Sequence, residues 1–117
     1  MMIVTQGEVN GIAKYLVEAS YTAEGLRGLA KDKASGRKAA VEKALVSLGG
    51  KLEALYYAFG GSDVYLLFDC PDNVSAAALS LAASSSGLVR TRTIPLLTVE
   101  ETDQALARQT AYRAPGA

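Results

Sequence analysis

The chain has 117 residues, of which 50% are hydrophobic and 21% charged, a balance that fits one ordinary globular domain with a single modest core. Twelve basic and twelve acidic residues cancel, so no overall field draws nucleic acid or anionic lipid. Histidine is absent, which removes the commonest general base near neutral pH, the usual haem ligand and the commonest zinc ligand, and excludes every triad built on histidine.

The one cysteine, Cys70, leaves no partner for a disulfide within the chain. The opening MMIVTQGEVNG lacks the basic start and long apolar run of a secretory leader, and no stretch approaches the length of a membrane span. A cytoplasmic protein with no membrane and no nucleic-acid partner is expected.

Residues 1–12, with Gly7 and Gly11, read as a loose lead-in to a single domain over 13–110. AKYLVEASY alternates as a strand, with Tyr15, Val17, Ala19 and Tyr21 on one face and Leu16, Glu18 and Ser20 on the other. Thr22 is placed to cap a helix carrying Leu26, Leu29 and Ala30, and Ser35-Gly36 is expected to interrupt or bend it. Beyond the bend, Ala40, Val41, Ala44, Leu45 and Leu48 form an apolar stripe that Gly49-Gly50 ends.

KLEALYYAF, Lys51 to Phe59, reads as a second strand, and the short Gly-Gly-Ser-Asp hinge turns it into a third, Val64 to Cys70. Pro71 stops that strand, and Asp72 caps a small-residue helix that runs to Gly87. LVRTRTIPLL is a fourth strand whose Pro95 belongs at an edge or a bulge. Thr98 and Glu101 make a capping box for a short last helix, and the tail 111–117 reads as loose.

The order β-α-β-β-α-β plus a final helix gives an α+β, ferredoxin-like fold: a four-stranded antiparallel sheet with helices on one face. If Leu52, Val64, Leu66 and Phe68 face the helices, plain alternation sends Leu55, Tyr57, Tyr65 and Leu67 to the open face. An open apolar face of roughly several hundred Å² is near the limit for a soluble monomer. A homodimer, sheet against sheet about a two-fold axis, is the expected cover, burying on the order of 1,600 Å². Such packing leaves room for a pocket between the sheets.

YLVEASYTAEGLRGL, Arg37, LGGKLEALYYAFGGSDVYLLFDCPD and LVRTRTIPLLTVEETDQAL together resemble the GYD family, over about Tyr15 to Leu106. The sequence departs at the family's name, with Gly61-Ser62-Asp63 in place of Gly-Tyr-Asp. The resemblance implies a dimeric α/β barrel of ferredoxin-like units but no particular activity; no cofactor is expected.

Several residues are candidates for a site. Asp63 reads as turn chemistry beside glycine, or as a carboxylate at a pocket mouth. Glu18 interrupts an apolar strand; it is either a general base in the space between sheets or an ion-pair partner of Arg90 or Arg92. Those two arginines share a strand face and equally suit an anionic ligand. Tyr57 and Tyr65 are the aromatics assigned to the open face, as core, interface or ligand contacts. Cys70 reads as a packed thiol, and RGLAKDKASGRK as a solvated basic helix face. No phosphate-binding glycine motif occurs.

Three functions remain open on these grounds. The chain is a small-molecule-binding or regulatory dimer, a cofactor-independent oxygenase- or isomerase-type enzyme acting on a small apolar substrate, or a structural assembly module.

Overall fold

The computed structural model describes residues 12–117, so all but the last residue of the expected lead-in lies outside it. The elements run β1 (Ala13–Tyr21), α1 (Ala23–Ser47), β2 (Lys51–Tyr57), β3 (Val64–Cys70), α2 (Asn73–Ser85), β4 (Val89–Leu96) and α3 (Val99–Ala107). The four strands form one antiparallel sheet in the order β2-β3-β1-β4. This is the ferredoxin-like α+β arrangement that the element order implies. Pro95 lies on β4, an edge strand, where its missing N–H leaves no gap in a central ladder.

The core lies on the helix side of the two central strands. Tyr15, Val17 and Ala19 from β1 meet Val64, Leu66, Phe68 and Cys70 from β3, under Leu45 of α1 and Ala76 of α2. The Tyr15 ring stacks on Phe68 with centroids 5.7 Å apart. Its hydroxyl donates to Asn73 Oδ1 at 2.7 Å, so a fully buried tyrosine satisfies its polar tip while tying β1 to the start of α2. Ser84 and Thr91 hydroxyls pair at 3.0 Å and Ser80 pairs with Thr93, fastening α2 along β4.

The caps fall where the sequence puts them. Thr22 Oγ1 accepts from the Gly25 N–H at 3.1 Å, and Asp72 Oδ1 accepts from the Ser75 N–H at 2.8 Å. Thr98 and Glu101 close a reciprocal capping box. The start of α1 also presses on β4. The Thr22 N–H donates to Leu88 O at 2.9 Å, and a Cβ added at Gly25 would stand 2.0 Å from that same oxygen. Only glycine permits this approach.

The bend in α1 is not at Ser35-Gly36. It falls at Lys33, whose φ of 67° and ψ of 163° separate helical segments 23–32 and 34–47. A glycine within a helix costs only about 1 kcal/mol relative to alanine, so Gly36 is carried along as helix. The break instead places a non-glycine residue in backbone space that is nearly glycine's alone.

A second difference concerns β2. Its pairing with β3 shifts between Leu52 and Ala54, leaving Glu53 as an extra residue in a β-bulge. Leu52 pairs with Phe68 on the helix side, but after the bulge Leu55 pairs with Leu66 and Tyr57 with Val64, also on the helix side. Tyr56, opposite Tyr65, takes the open face instead. The expectation for Leu55 and Tyr57 is therefore corrected, while Tyr65 and Leu67 lie on the open face as expected. One inserted residue reverses every side chain beyond it. The bulge is held by charge: Lys14 Nζ pairs with Glu53 and, at 2.9 Å, with Asp69.

Candidate functional site

The open sheet face is ordered in rows set by strand register. Tyr56, Tyr65, Glu18 and Arg92 stand side by side across the four strands. The neighbouring row is apolar: Ala54, Leu67, Leu16 and Ile94. Beyond it lie Lys51, Asp69, Lys14 and Leu96, and at the opposite end Ser20 stands beside Arg90. Glu18 and Arg92 are thus cross-strand neighbours on one face, as the alternation requires. Their side chains are not within ion-pair distance of each other; among the described residues the ion pairs are those of Lys14 and the Arg37–Asp32 contact.

The helix side of the sheet carries the concave site. A cavity of 80 Å³ is lined by Val17, Val41, Leu55, Leu66 and Leu79, with polar groups supplied by Tyr21, Tyr57, Arg37, Ser80 and Thr91. It adjoins a wider recess of 410 Å³ between the two segments of α1 and the facing side of α2. Tyr21, Arg37, Val41, Leu79, Ala83 and Val89 border both spaces. Arg37 is the one charged side chain lining both, and Asp32 lines only the recess.

The tyrosine at this cavity is electrostatically distinct. The Tyr57 phenol is pushed up to about 12, first by burial and then by the Tyr21 phenol beside it, against the opposing pull of Arg37. It therefore stays a neutral hydrogen-bond donor at any physiological pH. Arg37 Nη1 lies 3.5 Å from Asp32 Oδ2, a single contact across the Lys33 break.

Of the residues singled out from sequence, Tyr57 lines this cavity, whereas Glu18, Tyr65, Arg90 and Arg92 are gathered on the opposite face of the sheet. Asp63 joins neither group. Its carboxylate accepts from the Tyr21 N–H at 2.8 Å, and its own N–H donates to Ala19 O at 2.9 Å. This completes the β1–β3 ladder at the hairpin end, which is turn chemistry of the kind expected beside glycine. Cys70 is fully buried, and its thiol is pushed up by burial and then by the carboxylates of Asp72 and Asp69. Such a thiol packs and does not attack.

Sequence reasoning passed over Tyr21 and Arg37. Arg37 was legible: it lies four residues before Val41 and eight before Leu45, so it extends the apolar stripe of α1 rather than the solvated face.

Comparison with known proteins bears on the fold more than on the site. No protein with a curated description matches the chain. Among solved structures, a chain described as MtbAldR has a TM-score of 0.55 at 9% identity, covering 98% of this chain and 67% of its own, which shows likeness of fold alone. A Nitrosomonas europaea protein of unknown function, NE2512, is 16% identical, with a TM-score of 0.39 over 75% of this chain and 90% of its own. A family model described as the GYD domain matches residues 15–106. With that match running through all four strands and both long helices, this protein belongs to the GYD-domain family.

Proposed function

We propose that this protein is a homodimer that binds a small, largely apolar organic molecule, with assembly on the open sheet face and binding on the helix side. The observation that carries the binding reading is the cavity and adjoining recess bordered by Arg37, whose walls are otherwise mostly aliphatic. Ligand sites have this character: apolar walls with a few placed polar groups, and a volume that for the recess falls within the usual range. We place the ligand on the helix side rather than between sheets because Tyr57, one of the expected ligand contacts, borders the cavity there.

The open face suits a second copy. Leu16, Leu67 and Ile94 form an apolar band beside a row that carries one acid, Glu18, and one base, Arg92. A two-fold axis through such a face lets each protomer offer its acid to the other's base. Tyr65, Arg90 and Arg92 are then interface contacts, and Glu18 is a pairing group.

Native mass spectrometry on protein purified gently from cell extract tests both halves. The expected result is a dimer retaining a reproducible small adduct, a monomer for Leu67→Lys, and a dimer stripped of adduct for Ala83→Phe, which fills the space. A wild-type monomer overturns the assembly, and an adduct that survives Ala83→Phe overturns the location. A dimer that never carries extra mass overturns the binding reading.

A further inference from the structure

Resting on the helix-side binding reading, we infer that the ligand is an organic anion whose carboxylate pairs with Arg37 and takes a hydrogen bond from Tyr57, in place of the contact Arg37 makes with Asp32. Arg37 stands where the inner cavity meets the outer recess, so a charge bound to it leaves apolar space on either side for the rest of the molecule. A neutral ligand would leave a half-buried guanidinium facing an aliphatic body, which is costly unless the charge is matched.

The existing partner is a weak one. Asp32 reaches Arg37 through one 3.5 Å contact, with the two side chains 49% and 40% exposed. Exposed pairs of this kind contribute little. Arginine binds a carboxylate best through two parallel N–H···O bonds, a geometry that this single contact does not use. An incoming carboxylate, free of backbone tether, can adopt it.

Tyr57 supplies the second element. Tyr57 lines the smaller cavity together with Arg37, and Arg37 is near enough to act on its ionisation. A phenol that stays protonated there donates to an anion and discriminates against a second donor. Asp32 lines only the recess, so a carboxylate seated where the two spaces meet has the base beside it and the phenol on the side away from the competing acid. Recognition of a negative end therefore comes from Arg37 and Tyr57, and Asp32 sets the threshold an anion must exceed.

A matched pair of probes tests this: 4-phenylbutyrate and its uncharged analogue 4-phenylbutan-1-ol, titrated into the full-length ¹⁵N-labelled protein and followed by NMR. The expected result is that the acid binds about tenfold more tightly than the alcohol, the size of one charge-assisted hydrogen bond. Arg37→Gln should bring the acid to the alcohol's affinity while leaving the alcohol unchanged, which also shows that the pocket persists. Asp32→Asn should tighten the acid and not the alcohol, a gain that a misfolded variant cannot mimic. Equal affinities in the wild type, or an Arg37→Gln loss common to both probes, overturn the anion assignment and leave the apolar pocket standing. Binding of neither probe overturns the pocket and this inference together.

Discussion

The carboxylate of Asp63 accepts a 2.8 Å hydrogen bond from the backbone N–H of Tyr21, joining the end of the β2–β3 hairpin to the last residue of β1. Tyr21 is also a wall of the helix-side cavity, so this bond couples hairpin geometry to the site. Removing it leaves a half-buried N–H without its partner. Asp63→Ala is expected to lower stability by about 1–3 kcal/mol, the cost of losing a charge-assisted bond and stranding its donor. Asp63→Asn, which keeps an acceptor oxygen, should lose less. Urea unfolding followed by circular dichroism separates the two, and equal losses would mean that the negative charge, rather than the acceptor, holds the hairpin.

Gly25 answers to a different force. It sits in the first turn of α1, where a Cβ would stand 2.0 Å from Leu88 O and 3.1 Å from a Tyr21 ring carbon. A backbone carbonyl has nowhere to move without dragging β4. Gly25→Ala is thus expected to cost several kcal/mol despite alanine's better helix propensity, which is worth only about 1 kcal/mol. Gly28, which meets nothing within 4 Å, is the control: Gly28→Ala should be neutral or stabilising.

Strand and helix order was legible because each boundary carries its own local chemistry: Thr22, Asp72 and Thr98 as caps, Gly49 and Gly87 with φ of 77° and 75° at helix ends. The faces of β1, β3 and β4 followed from alternation for the same reason. What alternation could not carry was the Glu53 bulge, because its cause is tertiary. Lys14 from β1 is near Asp69 in β3, and Glu53 joins them across the sheet. The period-2 pattern of KLEALYY is compatible with either face for its second half, so Tyr56 and Tyr57 exchanged places. Tyr57 therefore lies on the helix side, where it borders the cavity.

Lys33 offers a gain of stability. Its φ of 67° with ψ of 163° lies where non-glycine residues are strained by about 1–3 kcal/mol. Lys33→Gly relieves that strain and gives back roughly 0.5–1 kcal/mol through the looser unfolded chain. A net rise of about 1 kcal/mol in unfolding free energy is expected. If Lys33→Gly is destabilising, the side chain must contribute more than its backbone costs.

Tyr57 has its ionisation raised from 10.0 to about 12 by burial and by the adjacent Tyr21. The folded state therefore holds this proton more tightly than the unfolded chain does, and the stabilisation is fully present below pH 10. As pH rises toward 12, the unfolded chain loses the proton first, and the contribution disappears through the folded-state value. The urea midpoint of the wild type should fall across that window. Tyr57→Phe has no proton to lose and should show a shallower fall. Lys14, whose ionisation is raised by its bonds to Glu53 and Asp69, weakens both alike as it discharges, so the difference between the two curves isolates Tyr57. Parallel curves would mean that the phenol is as free to ionise in the folded protein as in the unfolded chain.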